Sequence, residues 1–184
     1  MKKCNFVPYQ CYQNIYIIDY NKLYEDGIRI ILFDLDNTIM GYHQDHPTAK
    51  EIEFFKSLKD IGFIPVIMSN NHLKRIEKIA SKLEIDKMAN SKKPLKCGYK
   101  KILKRYKDYD TTQFIAIGDQ IVTDIWGANR NGIKAILINA IRLDNEKWYT
   151  RFNRRLENYI IEKKIKKHDI NIYNNIKSMK KEIE

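Results

Sequence analysis

Between residues 28 and 138 the chain alternates short apolar runs with stretches whose apolar residues recur every three or four positions. The first run, Ile28-Arg29-Ile30-Ile31-Leu32-Phe33, follows the turn signal Asp26-Gly27. It is short and rich in branched residues, which predicts a buried strand. Residues 63–68, 114–117 and 134–138 read the same way. Pro65 belongs near the start of its strand, where a missing N–H is tolerated. Thr48 predicts a helix cap, with Glu51 at the third helical position, Ile52, Phe55 and Leu58 on one face and Gly62 as the stop. A second helix carries Leu73, Ile76, Ile79, Ala80 and Leu83. A third opens at Pro94 and carries Leu95, Tyr99, Ile102, Leu103 and Tyr106. A fourth covers residues 122–131 and stops at Gly132. A short helix is predicted near residues 20–25.

Strands alternating with helices of this length predict a parallel sheet covered on both faces, an α/β doubly wound domain. Right-handed crossovers make it Rossmann-like, with three layers. The catalytic core is expected over residues 28–141. Residues 1–27 form an N-terminal extension packing on it, and residues 142–184 a basic, amphipathic, helical C-terminal extension.

Ligands bind open parallel sheets beyond the carboxyl ends of their strands. Three of the predicted strands end on polar residues: Asp34, Asp36 and Thr38; Ser69 and Asn70; Asp119 and Asp124. Packing does not account for this repetition, because a buried carboxylate is costly unless paired or metal-bound. Asp34 and Asp36 are two apart, so an extended strand projects both to one side. Two such carboxylates call for a cation. Mg2+, which prefers hard oxygen ligands, fits Asp34, the Asp36 carbonyl and Asp119. A calcium loop of the EF-hand kind needs glycine at its sixth position, where Ile39 stands. Lys93, ahead of a helix, offers a cation where phosphate charge would develop.

The chain has 184 residues, 34 Lys or Arg against 23 Asp or Glu, and a net charge of +11. This suits either an anionic partner or a lysine-rich solvated surface. Cys4, Cys11 and Cys97 form no disulfide framework or zinc motif, which fits a reducing, cytoplasmic setting. No apolar run reaches the length of a transmembrane helix, so any membrane contact is expected to be peripheral.

These residues resemble the haloacid dehalogenase (HAD) phosphatase superfamily. Asp34-Leu35-Asp36-Asn37-Thr38 matches its Asp-x-Asp-x-Thr motif, Ser69 its second, Lys93 its third, and Gly118-Asp119 with Thr123-Asp124 its acidic fourth. Ser69-Asn70-Asn71, Lys93-Pro94 and Arg151-Phe152-Asn153-Arg154-Arg155 further resemble the YqeG family of HAD subfamily IIIA, which is similar to mitochondrial phosphatidylglycerophosphatase. The run from Tyr42 to His46 departs from that family's pattern.

The resemblance implies a Mg2+-dependent phosphomonoester hydrolase. Asp34 is its nucleophile and Asp36 its general acid and base. Thr38, Ser69, Asn70 and Lys93 sit on the phosphate, and Asp34, Asp36, Asp119 and Asp124 on the metal. It further implies a phospholipid headgroup such as phosphatidylglycerophosphate as substrate, at the inner membrane face. The intervals between the motifs leave no room for a large cap domain, so an open site and a large substrate are expected. Residues 87–107 carry basic and no acidic side chains. Trp148, Tyr149, Phe152, Leu156, Tyr159 and Ile160 form a stripe flanked by Arg151, Arg154 and Arg155. That stripe suits either an anionic bilayer or the domain's own surface. Two other readings stay open: a soluble phosphatase for nucleotides, nucleic-acid ends or phosphoproteins, and a non-catalytic basic RNA-associated module.

Overall fold

A computed structural model describes residues 4–141 and 156–181 of the chain. Among these residues six strands form one sheet: β1 (Gln10–Tyr12), β2 (Ile30–Phe33), β3 (Ile64–Met68), β4 (Asp86–Met88), β5 (Phe114–Gly118) and β6 (Lys134–Ile138). Their order is β1-β6-β5-β2-β3-β4, and every pairing is parallel. The helices between them are α1 (Tyr20–Glu25), α2 (Ala49–Ile61), α3 (Leu73–Leu83) and α4 (Lys96–Arg105). After β5 comes α5, a π-helical segment over Ile121–Trp126 continued by Gly127–Asn129. Beyond the sheet lie α6 (Ile161–Ile165 with Lys166–His168) and α7 (Ile170–Lys181).

The period-two alternation of the strands sorts the core into two layers. Ile31, Phe33, Ile67, Ile115, Ile117 and Ile136 face one side, with Leu23, Phe55, Leu58, Ile76 and Ile79 of α1, α2 and α3 packed over them. Ile30, Leu32, Val66, Met68, Phe114 and Ala116 face the other, under Tyr99, Ile102, Ile121 and Ile125 of α4 and α5. This is the predicted three-layer α/β architecture. Pro65 is the second residue of β3, opposite Ile31. Ile64 donates to Arg29 O on the β2 side. The alternation therefore turns the Pro65 nitrogen toward β4, whose pairing starts only at Val66, so no ladder bond is lost.

Several local expectations shift. The N-terminal segment adds an edge strand, β1, along β6. The helix expected to open at Pro94 starts instead at Lys96, with Leu95 extended as its cap and a cis Lys93–Pro94 peptide before it. Ile52, Leu73 and Leu95, read as members of apolar faces, are exposed.

The described part of the C-terminal extension packs on the domain. Ile160, Ile161, Ile165, Ile176 and Met179 are buried in the second core layer, while Leu156 and Tyr159 remain exposed. Of the expected aromatic and arginine stripe, Trp148, Tyr149, Arg151, Phe152, Arg154 and Arg155 lie outside the described residues. No helix among the described residues is long and apolar enough to cross a membrane.

Candidate active site

The predicted residues converge at the carboxyl ends of β2, β3 and β5. The Asp34 N–H donates to Ile117 O at 2.9 Å, which carries β2 one residue further along β5 and sets Asp34 beside Gly118-Asp119. The chain then turns sharply. Asn37 has φ 63°, a left-handed conformation that asparagine tolerates better than most residues. Its N–H bonds Met40 O at 2.8 Å, and buried Leu35, Ile39 and Met40 anchor the turn beneath.

Asp34, Asp119 and Asp124 each present a carboxylate oxygen within 4.8 Å of the others. The Lys93 ammonium sits against two of them, at 2.7 Å from Asp34 Oδ1 and 2.6 Å from Asp124 Oδ1. Leu32, Met68, Tyr99, Ala116 and Ile117 line the small cavity around these groups. Burial in that apolar wall pushes the Asp34 carboxyl up to about 7; the Lys93 charge opposes the shift, and Asp124 adds to it. For Lys93, burial favours loss of the proton, but Asp124 and Asp34 outweigh it and hold the ammonium well above the ordinary lysine range. Burial likewise raises the Tyr99 phenol, whose OH donates to Thr123 O at 3.2 Å.

Gly118 is required by this packing. A Cβ there would lie 2.3 Å from Asp124 Cγ and 2.5 Å from its Oδ2, too close for any side chain. Asp124 Oδ2 also accepts from Gln120 N and Thr123 Oγ1, both at 3.2 Å.

Asp36 turns its carboxylate away from that cluster. Its Oδ2 accepts from Asn71 Nδ2 at 2.7 Å, and its Oδ1 from Arg75 at 3.0 Å. Its carboxylate is therefore not among the three that cluster around Lys93. Asn70, expected on the phosphate, spends its amide elsewhere. Its Oδ1 accepts from Lys93 N at 2.7 Å and Ser91 Oγ at 2.9 Å, and its Nδ2 donates to Lys93 O at 2.9 Å. It clamps the segment that delivers Lys93. Ser69 is buried with its Oγ accepting from Asn71 N at 3.2 Å. The buried Thr38 hydroxyl has no hydrogen-bond partner among the described residues.

Asn71, quoted above only as part of a motif, and two side chains not singled out from the sequence, Arg75 and Glu157, also belong to the site's frame. Arg75 and Asn71 hold Asp36. Glu157, from the C-terminal extension, is buried and accepts from Ile121 N at 2.6 Å, satisfying a buried helix-end donor at the start of α5. Nothing in the local sequence pairs residues 121 and 157; only the fold does.

A buried carboxylate, a buried ammonium and an acidic cluster on one rim of a parallel sheet suit phosphoryl transfer. Known proteins agree. The haloacid dehalogenase-like hydrolase family matches residues 41–132. "Probable phosphatase YqeG" of Bacillus subtilis (strain 168) is 32% identical over 161 residues, covering 88% of this chain and 92% of that protein. "Glyceraldehyde 3-phosphate phosphatase" of Pyrococcus abyssi (strain GE5 / Orsay) is 30% identical over 110 residues, covering 54% of this chain and 44% of its own. The fold matches the crystal structure of an uncharacterized protein from Listeria monocytogenes serotype 4b with a TM-score of 0.52 at 21% identity, covering 65% of this chain and 85% of that one. The chain therefore belongs to the haloacid dehalogenase-like hydrolases and, among them, is a phosphatase of the YqeG type.

Proposed function

We propose that the protein hydrolyses phosphate monoesters through an aspartyl-phosphate on Asp34, with Mg2+ as cofactor. The observation that carries this reading is the buried contact of Lys93 with both Asp34 and Asp124, beside Asp119. Three carboxylates against one ammonium suit a further cation, and all-oxygen donors suit Mg2+. Asp34, Asp119, Asp124 and the Asp36 carbonyl would hold Mg2+, which supplies positive charge to the phosphoryl oxygens when bound.

Lys93 brings a fixed positive charge to the same oxygens without leaving the cavity. Asp34 Oδ attacks phosphorus, and the bond from phosphorus to the ester oxygen breaks. A proton held on the Asp36 carboxyl passes to that leaving oxygen. Asp36, now a carboxylate, takes a proton from the water that attacks the aspartyl-phosphate. Phosphate leaves, and Asp34 returns as a free carboxylate. Ser69 and Thr38 offer hydroxyls near the phosphoryl group, while Asn70 acts through Lys93.

The substrate is a large phosphorylated anion, with a phospholipid headgroup such as that of phosphatidylglycerophosphate favoured. Only α2, β3, α3, β4, α4 and β5 lie between the motifs, so the described residues include no cap domain over the site. Beside it, exposed Leu73 and Leu95 lie at the starts of α3 and α4, near exposed Lys74, Lys92 and Lys96. Exposed apolar side chains with exposed lysines near them in sequence suit the interface of an anionic bilayer.

Phosphate release from phosphatidylglycerophosphate in vesicles, glyceraldehyde 3-phosphate, a nucleotide and an RNA 5′-phosphate tests the reading, each with and without Mg2+. The lipid should be turned over fastest and only with Mg2+. Faster release from the small phosphates would refute the lipid assignment. Release unchanged by EDTA would refute the metal.

A further inference from the structure

Arg75 lies in the first turns of α3, close to the site but outside every motif. Its Nη2 donates to Asp36 Oδ1 at 3.0 Å and to the Tyr42 carbonyl at 2.6 Å, while Nη1 lies 3.5 Å from Asp45 Oδ1. The guanidinium also approaches the Tyr42 ring, 5.6 Å from its centroid. From the other side, Asn71 Nδ2 donates to Asp36 Oδ2 at 2.7 Å. The Asp36 carboxyl is thus gripped on both oxygens, by a donor from α3 and one from the loop that leads into it. Rotation about its Cβ–Cγ bond breaks one or both contacts.

We infer that Arg75 is the positioning residue for proton transfer by Asp36, holding its carboxyl plane toward the leaving oxygen and pinning residues 42–45 beside it. This rests on the reading of Asp36 as the general acid. Each Asp36 oxygen takes one donor from this pair, and a carboxyl oxygen has two acceptor positions, so a proton still finds a place. Arginine stays charged throughout and never competes for that proton. Both side chains are about four-fifths shielded from solvent, which strengthens the pair relative to a surface contact.

The competing idea is that Arg75 only fastens residues 42–45 to α3. Its Nε argues otherwise, because it is buried with no hydrogen-bond partner among the described residues. A side chain placed for stability alone gains nothing by leaving a donor unmet. The orientation suits Asp36 at the expense of Nε.

The inference makes a claim about leaving groups. When Asp34 Oδ bonds to phosphorus and the ester bond breaks, the leaving oxygen takes up negative charge. A strongly basic alkoxide needs the Asp36 proton; a nitrophenolate departs without it. Positioning of the acid therefore matters for alkyl esters and little for nitrophenyl ones. A structural role would reduce both alike.

The test measures kcat/KM for glycerol 3-phosphate and p-nitrophenyl phosphate with Mg2+, on wild type, Arg75→Ala, Arg75→Lys and Asp36→Asn. Because general acid help is worth about 10²- to 10⁴-fold, Arg75→Ala should lose about 10²-fold on the alkyl ester and under about 5-fold on the aryl ester. Arg75→Lys should lose less, with the same selectivity, and serves if the alanine variant fails to fold. Equal losses on both esters, or a rise in KM alone, would overturn the inference. Asp36→Asn separates the two levels: if it too shows no leaving-group dependence, the general acid assignment fails, whereas dependence in Asp36→Asn alone removes only Arg75.

Discussion

Asp34→Asn should abolish turnover and at the same time make the metal-free protein more stable above neutral pH. The carboxyl is walled by Leu32, Met68, Ala116 and Ile117, and burial raises it from 3.8 to about 7. Between those values the unfolded chain gives up this proton while the folded chain keeps it. The folded state then binds more protons, so stability falls as pH rises through this window. Each pKa unit corresponds to about 1.4 kcal/mol, so the loss reaches on the order of 4 kcal/mol once both states are ionised. Asparagine has no such ionisation, and Lys93 keeps Asp124 as its partner in both proteins.

Urea unfolding of EDTA-treated wild type and variant at pH 5 and pH 8 reads the effect. The stability difference should move in favour of Asp34→Asn by about 3 kcal/mol between those pH values, most of the full linkage term. Added Mg2+ should restore the wild type at pH 8 and help the variant less. A difference that does not change with pH would show that Asp34 is not desolvated, and the account of its shift would fail. Trading stability for a poised nucleophile is a common arrangement in enzymes.

Other substitutions test separate parts of the frame. Gly118→Ala places a methyl 2.3 Å from Asp124 Cγ and should cut kcat/KM by at least about 10²-fold, since small misplacements at a site cost that much; near-normal activity would mean that Asp124 can move freely. Asn70→Ala should lower kcat about 10- to 100-fold with little change in KM, because it frees the segment that positions Lys93. A raised KM at unchanged kcat would return Asn70 to the phosphate. Ile165→Ala, at a fully buried position of α6, should cost about 2–5 kcal/mol in urea unfolding if the C-terminal extension is part of the folded unit. A cost below about 1 kcal/mol would detach it, since such a change is ordinary for surface positions.

The strands and their order along the chain were legible because both faces of each strand are buried, so Ile30 to Phe33 or Phe114 to Ile117 read as continuous apolar runs. The placement of Asp34, Ser69 and Asp119 followed, since Asp34 and Ser69 come directly after such a run and Asp119 one residue later. β1 was not legible. Its three residues are only half-buried and carry no strong period, and pairing with β6 is what makes them a strand. Ile52, Leu73 and Leu95 kept helical spacing yet fell outside the core, because periodicity reports a face and not what covers it. Asn70 was placed by its neighbours in sequence, while its amide partners sit more than 20 residues away, at Ser91 and Lys93. Arg75 and Glu157 were invisible for the same reason: each reaches the site across 36 or more residues, and no short motif records such a distance.

The central claim is a covalent phosphoryl group on Asp34. Acid quenching during turnover of p-nitrophenyl phosphate, followed by mass spectrometry of the digested protein, tests it directly. The predicted result is one hydroxylamine-labile phosphoryl group on the peptide that contains Asp34, enriched in Asp36→Asn and absent from Asp34→Asn. A phosphoryl group on another residue, or an active enzyme that never carries one on this peptide, would contradict it.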